Sequence, residues 1–359
     1  MSTKIFAWLL SLLSLFASWS PAAQPKHLPE TPSSAQYTIW PAEEFTEGKI
    51  FPVIPAFLEA WYAVFKDMDL GSVTDSLLIL HHGKLVYERY GKGWDEDTAH
   101  PMYSVTKAVL SALVGIAIGE GKIESVEQKV IDFYPDAVIA PGQECKLDMT
   151  IEHLLTMTSG LPGDNEPEDS EWWEATDSGK AAFETAQPAA PGERFAYSSG
   201  SSCQTLAGLI RRAVGKDLLE YAKEKLFIPL GMDSVIWGTA ADGLPFGGFG
   251  IEMTPRDMLR FGYLYLNNGR WEDEQIIPEA YVAATPPKSK EKSAYGYLFW
   301  NFPLLPNDNS FEANGAWGQQ IEILPEYDMV IVRTGTQSRF NLFLHGIEDK
   351  LDERGLKFW

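Results

Sequence analysis

The sequence predicts an α+β fold, an α/β sandwich in which an antiparallel sheet is flanked by helices and carries a mostly helical lobe. Strand-like segments stand near both ends of the chain, at residues 77–80, 85–87, 320–324 and 329–332. Between them, from about residue 102 to residue 225, the apolar pattern is mostly helical. This order favours one sheet built from both ends of the chain, with a helical lobe inserted at about 101–240.

The first 22 residues have the pattern of a secretory signal peptide. Lys4 supplies the positive start, residues 5–19 form a short apolar stretch, and Ser20-Pro21-Ala22 offers small residues for cleavage. The apolar stretch is shorter than the ~20 residues that a membrane span needs, although an uncleaved anchor remains the alternative. We therefore expect a secreted or periplasmic protein with no stable membrane insertion after cleavage. Residues 23–50 are Pro-rich and polar, as in a linker or surface strap.

One domain is predicted over residues 51–355, and its most informative element is the helix that opens with Ser104-Val105-Thr106-Lys107. This helix begins near Pro101, continues to about Ile118 and is apolar on almost every side, which is typical of an interior helix. Residues three apart share a helix face, so the Lys107 amine can reach the Ser104 hydroxyl. A serine needs a base to become a nucleophile, and burial lowers the pKa of a lysine toward that role. A second Ser-x-x-Lys at 289–292 lies in a charged segment and reads as a solvated loop.

Further elements follow in order after this helix. Helices are predicted at 151–155, 206–214, 256–266 and about 340–351, and an acidic segment with Trp172 and Trp173 interrupts the helical lobe at 163–179. No internal repeat or low-complexity tract is present.

Composition excludes several functions. The 359-residue chain has a formal net charge of −21, which disfavours nucleic acid and anionic lipid surfaces as partners. Six His, two Cys and no metal-ligand or phosphate-loop motif predict neither a metal nor a cofactor. Cys145 and Cys203 could pair in an oxidising compartment or remain two free thiols.

Three more segments, 150–161, 191–200 and 313–319, follow Ser104 in a specific order. In this order and spacing the chain resembles the serine β-lactamase and penicillin-recognising family over about residues 40–350. The similarity is greatest to its class C-like branch, with the related esterases, DD-peptidases and 6-aminohexanoate-oligomer hydrolases. The resemblance implies a β-lactamase/transpeptidase-like fold and hydrolysis through an acyl-enzyme.

The resemblance also implies residue roles. Ser104 corresponds to the acylated nucleophile, Lys107 to its proton partner and Tyr197 to the tyrosine of the family's Tyr-x-Asn box. Ser199 stands where that box has Asn. The oxyanion of an acyl-transfer intermediate needs two N–H donors, and we expect them from Ser104 and from the strand at Gly315-Ala316. The alternatives are a packed loop aromatic for Tyr197 and a simple strand bend for Gly315.

The largest departure from the family is in its third box, Lys-Thr-Gly or His-Thr-Gly. Ala313 and Asn314 precede Gly315, so the cation is missing. Arg333-Thr334-Gly335 looks like a replacement but is predicted on the strand after the one where the box belongs. Without this cation the resemblance implies neutral substrates. The candidate substrate-binding residues are Ser199, Asn314, Gly315, Ala316, Trp317, Trp172 and Trp173, the two adjacent tryptophans having a satellite core as their alternative role.

The function predicted from these features is that of an exported serine hydrolase acting on small-molecule esters or amides. A DD-carboxypeptidase or a β-lactamase is the second possibility. A non-catalytic envelope binding protein of the same fold is the third, and the retained Ser104, Lys107 and Tyr197 argue against it.

Overall fold

The computed structural model describes residues 74–164, 166, 172–286, 294–301 and 309–336. Four sequence predictions lie outside these residues: the signal peptide, the strap at 23–50, the second Ser-x-x-Lys at 289–292 and the final helix at 340–351.

The described residues form ten strands and seven α-helices, numbered here in chain order. The strands are β1 (Thr74–His81), β2 (Lys84–Tyr90), β3 (His100–Pro101), β4 (Ile236–Trp237), β5 (Ile251–Met253), β6 (Arg270–Trp271), β7 (Glu274–Gln275), β8 (Phe311–Gly315), β9 (Gln319–Leu324) and β10 (Met329–Gly335). The helices are α1 (Thr106–Gly119), α2 (Ile151–Leu155), α3 (Ser178–Glu184), α4 (Ser201–Val214), α5 (Leu218–Ala222), α6 (Pro255–Leu266) and α7 (Glu279–Ala284).

The main sheet joins the two ends of the described chain. Its strand order is β2-β1-β10-β9-β8, and every neighbouring pair is antiparallel. At its centre Leu78 on β1 lies opposite Val332 on β10 and Glu88 on β2. The predicted antiparallel sheet built from distant parts of the chain is confirmed.

Helix α6 covers one face of this sheet. A capping box between Thr254 and Asp257 fixes its start, and Pro255 occupies the first turn, where a missing N–H costs nothing. Gly262 lets the helix approach closely, because a Cβ there would lie 2.6 Å from Val330 Cγ1 and 2.7 Å from Ile321 Cγ2. The sheet is thereby held against the apolar core.

The helical lobe lies between β3 and β4 in the chain and is organised around α1. All residues of α1 from Thr106 to Ala117 are buried, as expected for an interior helix. Helix α4 contacts α1, and its amphipathic sequence buries Ser201–Ile210 while Arg211 and Arg212 stay partly exposed. No helix among the described residues has both the length and the apolarity to cross a membrane.

Candidate active site

Ser104 lies in a tight turn immediately before α1. A 3₁₀ turn covers Tyr103–Val105, and the α-helix begins at Thr106 rather than near Pro101 as predicted. The reason is local. The Met102 N–H donates to the carbonyl of Ile251 on β5 at 2.8 Å, and Tyr103 adopts a left-handed φ of 46°. The turn leaves the Ser104 side chain half-buried at the start of a buried helix.

Lys107 occupies the centre of the site and is fully buried. Its Nζ donates hydrogen bonds to Ser104 Oγ at 2.8 Å, to Ser199 Oγ at 2.8 Å and to the carbonyl oxygen of Gly248 at 2.9 Å. The first contact is the one that the Ser-x-x-Lys spacing predicts. Three acceptors match the three hydrogens of an ammonium group, so the lysine head is held from three directions.

Glycine is required where the Gly248 carbonyl reaches Lys107. A Cβ on Gly248 would lie 2.2 Å from the carbonyl oxygen of Ser199, and one on Gly247 would lie 2.1 Å from that of Cys203. Any larger residue would push this segment away from the start of α4. This contact was not predicted, although the adjacent glycines in Gly247-Gly248-Phe249-Gly250 indicate close backbone approach.

The ring of Tyr197 lies beside the lysine head, with Lys107 Nζ 4.6 Å from its centroid. Tyr197 stacks on Trp300, with 5.6 Å between centroids, and meets Tyr295 edge-on at 5.9 Å. Backbone hydrogen bonds between Trp300 and Glu312 tie this aromatic segment to β8. The sequence pattern did not predict the Trp300 contact, because 103 positions of chain separate residues that only the folded sheet brings together.

Asp164, which was not predicted as a site residue, completes the polar network. Its carboxylate accepts hydrogen bonds from the Ser199 N–H at 2.5 Å and from Ser199 Oγ at 2.8 Å. Ser199 therefore links Asp164 to Lys107. The only signal in the sequence was the position of Asp164 in the acidic segment that interrupts the helical lobe.

The charge state of Lys107 differs from the one expected from burial. Desolvation, the largest single effect, lowers its pKa, but electrostatic interactions with Tyr197, Cys203 and Asp164 and a hydrogen bond with Tyr197 together raise the pKa above that of an ordinary lysine. Burial raises the pKa of Cys203 to about 12, so that neighbour is a neutral thiol at neutral pH. The prediction of a lowered lysine pKa is wrong, because partners outweigh desolvation.

The edge strand β8 reaches the nucleophile through Gly315. A Cβ on Gly315 would lie 2.4 Å from the carbonyl oxygen of Met102 and 3.3 Å from the backbone nitrogen of Ser104. The chain then turns through Ala316–Gly318, with Trp317 at a left-handed φ of 66° and 48% exposed. Gly315 and the Ser104 backbone are therefore direct neighbours, as the predicted oxyanion site requires.

The side chains that could have replaced the box cation are engaged elsewhere. Arg333 is buried on β10, where it donates to Thr74 Oγ1 and to the carbonyl oxygen of Gly318, both at 3.1 Å. Strand β9 separates β10 from β8, so Arg333 lies one strand further from the box position than the sequence suggested. Asn314 Nδ2 donates to Glu312 Oε1 at 2.9 Å.

The two adjacent tryptophans pack against aromatic neighbours. Trp172 is buried and packs edge-on against Trp173 and Phe246, with centroids 5.6 and 6.2 Å apart. This arrangement is that of a small aromatic core. Cys145 and Cys203 are both free thiols, which decides between the two alternatives left open by the sequence.

The sequence profile of the Beta-lactamase family matches residues 63–343. The chain belongs to the Beta-lactamase family. This family of serine hydrolases, which includes esterase and penicillin-binding-protein homologues, is the one that the Ser104, Tyr197 and Gly315 segments resemble.

One curated relative shares about a quarter of its aligned residues with this chain. A 6-aminohexanoate-dimer hydrolase from Paenarthrobacter ureafaciens is 24% identical over 221 residues, which make up 58% of this chain and 56% of the relative. The chain thus matches little more than half the length of this curated relative.

Solved structures share the fold. A Bacillus anthracis protein assigned as a 6-aminohexanoate-dimer hydrolase superposes with a TM-score of 0.67 at 24% identity, covering 81% of this chain and 82% of that one. EstCE1, a hydrolase with promiscuous acyltransferase activity, gives 0.67 at 17% identity, covering 83% and 99%. The predicted β-lactamase/transpeptidase-like α+β fold is confirmed.

Proposed function

We propose that this protein is an exported serine hydrolase that cleaves ester or amide bonds through an acyl-enzyme on Ser104. The observation that carries the proposal is the 2.8 Å hydrogen bond from Lys107 Nζ to Ser104 Oγ, made by a lysine whose other contacts are also fixed. A nucleophile within hydrogen-bond reach of an oriented base is the arrangement that covalent catalysis requires. The predicted signal peptide at residues 1–22 supports export.

In the proposed reaction, Ser104 Oγ attacks the substrate carbonyl carbon while its proton passes to the amine form of Lys107. The oxyanion accepts hydrogen bonds from the Ser104 N–H and from an N–H of the strand near Gly315-Ala316. Tyr197, which is hydrogen-bonded to Lys107, relays a proton to the leaving group. Water then attacks the acyl carbon and gives up a proton to the same Lys107–Tyr197 pair, which returns a proton to Ser104 Oγ as it leaves.

Neutral, apolar acyl groups are the proposed substrates. The residues before Gly315 supply no cation, and Arg333 is held by Thr74 and Gly318. Phe195 and Trp317, which are 44% and 48% exposed, stand two residues from Tyr197 and Gly315 respectively. Exposed aromatic side chains beside a site offer apolar contact to an acyl chain. Esters come first and small amides second, the latter in keeping with the name of the 6-aminohexanoate-dimer hydrolase relative.

The experiment is covalent labelling of the secreted protein with a fluorophosphonate. We expect one adduct per chain, located by mass spectrometry on Ser104, and a mature N-terminus near residue 23. An unlabelled protein would leave the non-catalytic binding protein as the better reading. A protein retained with residues 1–22 attached would contradict export by a cleaved signal.

A further inference from the structure

Asp164 determines which partner donates in the hydrogen bond between Lys107 and Ser199. The carbonyl oxygen of Gly248 can only accept a hydrogen bond from Lys107 Nζ. Ser199 Oγ has one hydrogen, and it points to the Asp164 carboxylate at 2.8 Å. An ionised carboxylate only accepts, so Ser199 Oγ must accept from Lys107 rather than donate to it.

This direction matters when Lys107 loses a proton. A neutral amine has two hydrogens and one lone pair, and Gly248 and Ser199 take both hydrogens. The lone pair is then left for the two remaining partners, Ser104 Oγ at 2.8 Å and Tyr197. When it faces Ser104 Oγ, the amine can accept the proton of the nucleophile.

We propose that Asp164 is a positioning residue, which through Ser199 aims the lone pair of the Lys107 amine at Ser104. The proposal rests on the proposed function of Ser104 and Lys107. Asp164 is exposed and acts through Ser199, so it is not itself assigned a contact with the substrate.

The loop that carries Asp164 is fixed to the loop that carries Tyr197 and Ser199. The Asp164 N–H donates to the carbonyl oxygen of Tyr197 at 2.9 Å. Glu166 accepts from the Gly163 N–H at 3.1 Å and pairs in a bidentate manner with Arg194. These contacts hold the Asp164 carboxylate beside Ser199.

The proposed positioning role predicts slower acylation when Asp164 is replaced, whereas a purely electrostatic role predicts faster acylation. Among the residues that the structure describes, the titratable groups that act on Lys107 are Tyr197, Cys203 and Asp164. Removing the Asp164 charge lowers the pKa of Lys107, so more amine is present at neutral pH. If charge were its whole contribution, acylation at neutral pH would become faster, because proton transfer gains more from the larger amine fraction than it loses in basicity. Loss of positioning instead makes acylation slower.

The test measures acylation by p-nitrophenyl butyrate in stopped flow between pH 6 and 9, with the substrate dissociation constant taken from the concentration dependence. Asp164→Asn should slow acylation about tenfold or more at pH 7.5, with substrate binding unchanged; this is less than the ~10²-fold or more expected for losing the base itself. Ser199→Ala should slow it similarly, and the double variant should be no slower than Ser199→Ala. Asp164→Glu should recover part of the rate.

Asp233→Asn is the matched control, because it removes the same charge from an exposed aspartate before β4 and should leave the rate unchanged. Faster or unchanged acylation in Asp164→Asn would overturn the proposal, as would an effect confined to substrate binding. An additive loss in the double variant would also overturn it, because Asp164 would then act independently of Ser199. Absence of acylation in the unaltered protein would instead refute the proposed function.

Discussion

The two sides of the site differ in what they keep of the Beta-lactamase family. On the side of the helical lobe, Lys107 is closed in by Ser104, Ser199 and Gly248, each at hydrogen-bond distance. On the side of the edge strand, β8 brings Gly315 against the Ser104 backbone, but the position of the family's cation is taken by Ala313. On the first side three hydrogen bonds hold the Lys107 amine, whereas the second side lacks the family's cation.

This difference teaches that the two sides carry separable tasks. Forming and breaking an acyl-enzyme needs a nucleophile, a base and oxyanion donors, all of which depend on backbone geometry and a few fixed side chains. Recognising a carboxylate needs an additional charge, which can change without disturbing that geometry. We therefore expect substitutions of Ser104 and Lys107 to affect the reaction, and the missing cation on the strand side to affect the choice of substrate.

The strongest test of the lobe side is Ser104→Ala. It removes the only atom proposed to form the acyl bond, so fluorophosphonate labelling and ester hydrolysis should both disappear. Ser289→Ala, in the second Ser-x-x-Lys segment, is the matched control and should retain both. Labelling that persists in Ser104→Ala would show that the reactive serine lies elsewhere.

The next largest effect is expected for Lys107→Arg. Arginine keeps the charge but does not release its proton, so it cannot serve as the base. We expect a loss of ~10²-fold or more in acylation rate, close to that of Lys107→Ala. Because partners raise the pKa of Lys107, its amine form becomes more populated as pH rises, so acylation by the unaltered protein should accelerate from pH 6 to 9. High activity in Lys107→Arg would mean that the lysine acts only as a charge.

On the strand side, the missing cation predicts substrate preference. We expect p-nitrophenyl butyrate to be hydrolysed faster than a chromogenic cephalosporin, because the carboxylate of the cephalosporin meets an acidic protein and no dedicated cation. One lost hydrogen-bonded charge contact typically costs ~2–3 kcal/mol, or roughly a hundredfold in specificity. Ratios of kcat/KM for the two substrates measure this directly. A preference for the cephalosporin would indicate that another cation binds its carboxylate. Arg333 would then be the first residue to substitute, although its guanidinium donates to the carbonyl oxygen of Gly318.

Gly315→Ala tests the place where the two sides meet. Its Cβ would lie 2.4 Å from a backbone carbonyl oxygen, which cannot rotate away, so β8 must shift from Ser104. A displaced oxyanion donor should lower kcat by about tenfold, less than the 10²–10³-fold typical when a donor is removed. Gly238→Ala is the control, because the nearest atom to its Cβ lies 3.6 Å away. Equal activity of the two variants, at equal thermal stability, would show that close approach at Gly315 is not needed for the reaction.

The sequence predicted those parts of the molecule that depend on local pattern. Turn residues predict the β1–β2 and β9–β10 hairpins. Apolar residues on almost every side predict the buried α1, and helical spacing predicts the contact between Ser104 and Lys107. The start of α1 was placed too early, because the left-handed Tyr103 depends on the pairing of β3 with β5. Residues within one helix turn can adopt few relative positions, whereas segments far apart in the chain can pair in many ways, so only the first kind of contact is predictable from spacing.

The remaining parts of the site depend on contacts between distant segments. Asp164, Gly248 and Trp300 approach Lys107 or Tyr197 from three separate loops, and no periodicity links them. The charge state of Lys107 was predicted in the wrong direction for the same reason. Burial can be inferred from an apolar helix, but the partners that outweigh it come from other parts of the chain.

The smallest effects are expected from the exposed aromatic residues on each side of the site. Phe195 packs against Tyr295 and Trp300 yet stays 44% exposed, and Trp317 is 48% exposed beyond Gly315. If both contact the acyl chain, Phe195→Ala and Trp317→Ala should each raise KM for p-nitrophenyl butyrate about fivefold, equivalent to ~1 kcal/mol of apolar contact, and leave kcat unchanged. Ile236→Ala, at a 60% exposed position on β4, should change neither constant.

A series of p-nitrophenyl esters with acyl chains of increasing length sharpens the comparison between the two sides. If only Trp317→Ala weakens the gain from each added methylene, the strand side alone selects the acyl chain. Equal losses in both variants would place acyl recognition on the lobe side as well.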